Sequence, residues 1–209
     1  MIGSRDGMLI IYTPALIVGA MLALSSIAKG ATVSLATCML IAHFAKRVLE
    51  VLFLHVYSGQ IGRGQSTFIG VYYALTTLLI GSVANLHAAP TTGELTVAVS
   101  TALFVIGSLG NLYHHNILAS LRRSGGSKEK KYVAPSGGLF RYVAAPHYFF
   151  ELIAWLGIAF AAGDLNAFLV FASMSSYLAG RAVSQNQWNK NMFPKDWSAE
   201  KKSLVPFVL

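Results

Sequence analysis

Apolar residues gather in six runs along this chain, separated by short stretches rich in Gly, Pro, Ser and charged residues. The runs cover about Met8–Ala28, Ala31–His55, Thr67–His87, Leu95–Leu121, Pro146–Ala162 and Asn166–Met192. Most reach the ~20 residues that a bilayer-spanning helix needs. The first run is too long for the apolar centre of a signal peptide and reads as a span. Pro146 suits the first turn of the fifth helix, where no backbone donor is needed, and Gly163-Asp164 ends that helix. Gly110 and Gly157 fall inside runs, where small residues let membrane helices approach closely. The pattern predicts an all-α polytopic membrane protein with about six transmembrane helices. Residues 1–209 are expected to form a single domain, because no internal repeat or soluble stretch interrupts the pattern.

Four runs carry polar stripes toward one end. In the second, His43, Lys46, Arg47 and Glu50 are spaced i, i+3, i+4, i+7, which places them on one helix face. In the fourth, Asn111, His114, His115 and Arg122 share a face. His147 and Glu151 do so in the fifth, with Tyr148 beside them. In the sixth the face holds Arg181, Ser184, Gln185 and Trp188, flanked by Asn189. The plainer reading of any one stripe is a helix end at the membrane surface, with Lys and Arg snorkelling to headgroups and Tyr148 as an interfacial anchor. Four stripes at one membrane level each need protein or water to face. They predict a polar pocket open to the cytosol. Its Arg and Lys content suits a phosphorylated ligand such as a nucleotide, coenzyme A or a lipid phosphate.

Composition agrees with the membrane reading. Of 209 residues, 55% are hydrophobic and 11% charged, and the mean hydropathy is +0.57, too apolar for a soluble domain. The net charge of +8 does not indicate nucleic acid, because the basic residues follow a topological rule instead. Arg63 lies after the second run, and Arg122, Arg123, Lys128, Lys130, Lys131 and Arg141 lie between the fourth and fifth. Lys195, Lys201 and Lys202 lie in the tail. The turns after the third and fifth runs hold no Lys or Arg, and Lys29 alone lies on their side. Positive residues stay inside, so both termini and the basic loops are predicted to be cytosolic. Cys38 sits alone in an apolar run and implies no disulfide. A metal site is the weaker expectation, since His114 and His115 splay apart and no His-x-x-x-His pair occurs. Neither a Walker loop nor a Gly-x-Gly-x-x-Gly pattern is present.

Five pieces of the C-terminal half resemble a known family. They are Gly110-Asn111-Leu-Tyr-His-His-Asn-Ile-Leu-Ala-Ser-Leu-Arg122, Pro135-Ser-Gly-Gly-Leu-Phe140, Glu151-Leu-Ile-Ala-Trp155, Arg181, and Leu204-Val-Pro206-Phe-Val-Leu209. As a linked set they are similar to the steroid 5α-reductase C-terminal domain family of membrane NADPH-dependent reductases. Lys46-Arg47-Val-Leu-Glu50-Val-Leu-Phe-Leu-His55-Val-Tyr-Ser58 and Pro146-His-Tyr148-Phe-Phe-Glu151 resemble its very-long-chain trans-2-enoyl-CoA reductase branch. The resemblance covers the chain from about residue 8.

The resemblance implies a reductase-like helix bundle and NADPH as cofactor. Asn111, Arg122, Tyr132, Glu151 and Arg181 match its cofactor-binding positions. Tyr148 would be the proton donor and Lys46 its cationic partner, compatible with the need to stabilise a phenolate. Arg47, Glu50 and His147 would meet the substrate. The implied reaction reduces the α,β double bond of a lipid enone, a (very-)long-chain trans-2-enoyl-CoA, in fatty acid elongation. The implied setting is the endoplasmic reticulum membrane, with the lipid bilayer and other membrane subunits as partners. Three positions depart from the family: His147 stands where Asn is usual, and Gln185 and Asn189 stand where His and Tyr are usual. The departures favour one alternative, a non-catalytic structural subunit of a membrane complex; a second alternative keeps the chemistry but acts on a steroid or polyprenol enone.

Overall fold

A computed structural model describes residues 1–86, 93–124, 132–206 and 208 of the chain. His87, Pro90, Lys128, Lys130 and Lys131 lie outside the described residues. Six α-helices occur among the described residues: α1 Ser4–Ala28, α2 Leu35–Leu49, α3 Arg63–Leu86, α4 Glu94–Ser124, α5 Pro146–Ala162 and α6 Leu165–Met192. They coincide with the six apolar runs, and the bounds of the fifth are those that Pro146 and Gly163-Asp164 predict. α1, α3 and α4 are each long and apolar enough on their own to cross a bilayer, while α5 is apolar but 17 residues long. The second run does not stay α-helical to its end. After Leu49 it widens into a π-helical turn, Glu50–Leu54, closed by the His55 N–H donating to the Glu50 carbonyl at 2.9 Å.

The chain divides into two compact units, Met1–Phe104 with Leu156–Val170, and Val105–Trp155 with Phe171–Leu209. In the first, α1 packs along α3 and α2. A Cβ on Gly70 would run into the Ile10 carbonyl, so α1 and α3 approach as closely as backbone allows. Tyr12 stacks on Tyr73 at 6.0 Å, and Phe44 meets Tyr73 edge-on at 5.4 Å. Short strands β1 (Ile2–Gly3) and β2 (Gln60–Ile61) pair antiparallel and tie the start of α1 to the loop after α2.

At the other end of these helices one amide joins three elements. Asn85 Oδ1 accepts from the Ser34 N–H and the Thr37 hydroxyl, both at 2.9 Å, and its Nδ2 donates to Ser26 Oγ at 3.1 Å. Ser34 also caps α2 by accepting from the Thr37 N–H at 3.2 Å.

In the second unit α4 and α5 meet at glycine. A Cβ on Gly107 would overlap the backbone of Phe150 and Ala154, and one on Gly110 would enter the Phe150 ring. A 3₁₀ turn, Gly138–Arg141, precedes α5 and begins with Gly138 at φ +55°. α6 starts under an Asp164 cap that accepts from the Asn166 and Ala167 N–H groups at 2.9 and 3.3 Å. Beyond α6 the chain turns back, and Val143 and Lys202 form a parallel bridge. Large apolar side chains such as Phe53, Phe68, Leu86, Leu95 and Leu169 are exposed, as lipid-facing positions require.

Candidate functional site

The α2 stripe forms a closed electrostatic cluster in the first unit. Lys46 Nζ lies 2.8 Å from Glu50 Oε1, and Arg47 donates to Glu50 Oε2 at 3.0 Å. Arg47 also bonds the Tyr12 hydroxyl, and its guanidinium sits over that ring at 4.6 Å. His43, Arg47 and Glu50 are buried. One carboxylate held by two cations leaves the group at net +1, and burial makes removal of any single member costly. Tyr57, on the loop that follows, has a buried hydroxyl with no hydrogen-bond partner among the described residues. Burial pushes its phenol above the ordinary value, with the Arg47 charge pulling the other way.

The second unit holds a cavity of about 180 Å³. α4 supplies Arg122, the segment before α5 supplies Tyr132 and Phe140, α5 supplies His147, and α6 supplies Gln185, Trp188 and Asn189. Its walls are aromatic: Tyr132 meets Trp188 edge-on at 5.4 Å, and Trp188 meets Phe193 at 5.8 Å. The Arg122 guanidinium lies 5.3 Å from the centre of the Tyr132 ring. Gln185 Nε2 donates to Asn189 Oδ1 at 3.0 Å. Asn189 is 2% exposed, and its Nδ2 has no partner among the described residues. Arg122 is the one cationic side chain among the described lining residues, and none of them is Asp or Glu.

His114 serves the structure of this site. Its Nδ1 faces the Gly110 carbonyl at 2.7 Å, and its Nε2 accepts from the Leu139 N–H at 3.2 Å. A carbonyl can only accept and an N–H can only donate, so the ring is the neutral Nδ1–H tautomer. It stacks on Phe150 at 5.2 Å and touches Phe140 edge-on at 5.6 Å. In this way it fastens the 3₁₀ turn, with Phe140, to α4. Asn111 is buried and donates to the His147 carbonyl at 2.9 Å, locking α4 to the first turn of α5. The His115 and His147 rings lie 5.4 Å apart. Tyr148 is half-buried, with its ring 4.3 Å from that of His147. Glu151, one turn on, is 5% exposed.

Of the residues singled out from the sequence, Arg122, Tyr132, His147, Gln185, Trp188 and Asn189 come together around this cavity. Asn111, Tyr148 and Glu151 sit on the same unit without lining it. Arg181 is exposed and does not line it either. It shares a helix face with Gln185 and Trp188, but it stands eight residues before Asn189, roughly 12 Å along the axis. Lys46, Arg47 and Glu50 belong to the other unit. Sequence reasoning missed Phe193 and Trp197, both buried beside the cavity wall, and Asn186, which binds Trp197. An indole in an otherwise polar tail was the available signal.

A cofactor must satisfy these groups to fit. The Arg122 charge and the Asn189 amide nitrogen suit phosphate or carbonyl oxygens, and the buried Glu151 carboxylate suits a ligand donor. Ligand pockets typically span roughly 300–1,000 Å³, so this cavity of about 180 Å³ would hold only part of a dinucleotide-sized cofactor.

The chain is similar to known proteins over part of its length. Rat 3-oxo-5-alpha-steroid 4-dehydrogenase 1 is 41% identical over 109 residues, 52% of this chain and 40% of its own length. A probable very-long-chain enoyl-CoA reductase of Caenorhabditis elegans is 30% identical over 175 residues, 80% of this chain and 56% of its own. An uncharacterised Schizosaccharomyces pombe protein is 37% identical over 121 residues, 51% of this chain and 43% of its own. The chain therefore spans about half the length of these relatives. The profile of the 3-oxo-5-alpha-steroid 4-dehydrogenase family matches residues 44–209. Its match takes in every cavity residue named above, and the chain belongs to that family of polytopic membrane reductases.

Proposed function

We propose that the protein reduces the α,β double bond of a (very-)long-chain trans-2-enoyl-CoA with NADPH, in the endoplasmic reticulum membrane, with both termini cytosolic. The observation that carries the choice of substrate is the extent of the enoyl-CoA reductase match. A match over 80% of the chain must include the middle of the sequence and hence the Lys46–Glu50 stretch. The rat steroid enzyme matches over 52%.

NADPH, when bound, supplies the hydride that Cβ receives. Everything else falls to the chain. Arg122 holds a cofactor phosphate, and the Asn189 amide nitrogen donates to an acceptor beside it. Glu151 accepts from a donor on the neutral part of the cofactor, and Arg181 adds positive charge farther along α6. Tyr132 and Trp188 offer ring faces that exclude water from the cavity. Tyr148 gives its hydroxyl proton to Cα as Cβ gains the hydride, so the double bond is lost and a tyrosinate remains to be reprotonated from water. Lys46 enters this scheme as the cation that the resemblance assigns, and Arg47, Glu50 and His147 as substrate-side groups.

The test is direct. Purified protein in detergent, given NADPH and a trans-2-enoyl-CoA, should consume NADPH as followed at the nicotinamide absorbance band, with one saturated acyl-CoA formed per NADPH. NADPH binding without consumption would favour a steroid or polyprenol enone as substrate. Absence of NADPH binding would favour the non-catalytic subunit, the reading that Gln185 and Asn189 in place of His and Tyr support.

A further inference from the structure

The tail after α6 returns to the start of α5 and holds it. The Lys202 N–H donates to the Tyr142 carbonyl at 3.0 Å, and the Ala144 and Ala145 N–H groups donate to the Lys202 and Ser203 carbonyls at 2.9 and 3.1 Å. Ala145 is the residue before α5, and its carbonyl accepts from the Tyr148 and Phe149 N–H groups at 3.0 and 3.3 Å. Leu204 is buried with Ala145 and Ala182, and Tyr148 packs against that cluster. A second cluster, Ala144, Phe193 and Trp197, supports Tyr132. Ala144, Phe193 and Tyr132 are themselves cavity wall.

Asn186 of α6 serves both clusters. Its Oδ1 accepts from Trp197 Nε1 at 2.9 Å, while its Nδ2 donates to the Lys201 carbonyl at 3.0 Å and to Ser203 Oγ at 3.2 Å. An indole N–H only donates and a carbonyl only accepts, so the amide has one workable orientation. The side chain is 6% exposed and lines neither the cavity nor the Tyr148 cluster.

We propose that Asn186 is a positioning residue for the active site: through Trp197 it sets the cavity wall, and through Lys201 and Ser203 it sets the α5 N-terminus that carries Tyr148. The catalytic part of this inference rests on Tyr148 as proton donor, but the positional part does not. The two arms are separable by substitution. Trp197→Phe keeps a ring against Ala144 and Phe193 and removes the indole donor. Asn186→Asp keeps the acceptor for Trp197 and loses the donors to the tail.

Hydrogen exchange measured by mass spectrometry on the whole protein in detergent tests the positional part. Asn186→Asp should speed exchange in the segment 142–152 by about tenfold or more while α2 in the other unit stays protected, the pattern of a local opening. Unchanged exchange in 142–152 would overturn the proposal, as would an equal rise in both units, which marks a merely global stabiliser. Turnover then splits the arms. Asn186→Asp should lower kcat about tenfold with little change in KM for NADPH, and Trp197→Phe should raise that KM several-fold with kcat within about twofold. Equal loss of kcat in both variants, once corrected for folded protein, would also overturn it. A wild type without turnover defeats the enoyl-reductase reading alone, and the exchange result still decides this one.

Discussion

In the first unit a carboxylate meets two cations, and Glu50 is spoken for by Lys46 at 2.8 Å and Arg47 at 3.0 Å. In the second unit Arg122 and Asn189 line one cavity, the Asn189 nitrogen has no acceptor among the described residues, and no carboxylate is among the described lining residues. Both clusters are polar groups in a hydrophobic chain, and the sequence marks them alike, as stripes on helix faces. They differ in how their charges are met. In the first cluster each charge faces an opposite one, so removal of a member leaves buried charge uncompensated. In the second a cation lines a cavity with no carboxylate among its described lining residues, so the wall suits an anionic group.

That distinction makes measurable claims. The largest concerns Tyr148. Tyr148→Phe keeps the ring that packs against Leu204 and removes only the hydroxyl, and it should lower turnover on an enoyl-CoA by about 10²–10⁴-fold with little change in substrate binding. Turnover within a few-fold of wild type would remove Tyr148 from the chemistry and leave it an interfacial anchor. Next, Glu50→Ala leaves Lys46 and Arg47 facing each other in a buried setting. It should destabilise the protein by about 3–5 kcal/mol, seen as a large drop in thermal midpoint. NADPH affinity of the folded fraction should stay near wild type, and a selective loss of affinity instead would erase the contrast between the clusters.

Smaller effects probe the open side. Arg122→Ala should weaken NADPH binding by roughly ten- to a hundredfold, the worth of about 1.5–3 kcal/mol for a charge-assisted bond. Titration with NADPH in detergent measures it, and the thermal midpoint of the protein without NADPH should barely move. Gln185→Glu is subtler. A carboxylate at 185 accepts, so the Asn189 amide must turn its nitrogen toward it and its oxygen toward the cavity. NADPH affinity should fall by about 1–2 kcal/mol, up to some thirtyfold, and unaltered affinity would mean that the Asn189 donor meets no ligand.

The sequence was legible where local chemistry decides the structure. Pro146 and Gly163-Asp164 punctuate α5, and the i, i+3, i+4, i+7 spacing of His43, Lys46, Arg47 and Glu50 predicts their shared face, because helix geometry alone fixes both. Three features were not legible, and each depends on partners distant in sequence. The bridge between Val143 and Lys202 is made by backbone groups of a tail without periodicity. Asn186 looks like its neighbours Gln185 and Gln187 until Trp197 folds back to meet it. The π turn at Glu50–Leu54 shows no sequence mark, since the residues there suit an ordinary helix equally well. Shared helical angle also misled in one respect: it grouped Arg181 with Gln185 but ignored the two turns of rise between Arg181 and Asn189.

The Asn85 knot has a consequence for how the protein is made. Ser26 closes the first helix, Ser34 and Thr37 open the second, and Asn85 lies at the end of the third. A ribosome delivers Asn85 last, so the polar groups on α1 and α2 meet their common partner only after α3 has entered the membrane. One amide thereby registers that all three segments have been inserted and aligned. A chain in which α3 fails to insert leaves the Ser26 and Thr37 hydroxyls and the Ser34 N–H without their Asn85 partner. Such polar groups are costly where they meet lipid, so insertion of α3 and the docking of α1 on α2 favour one another.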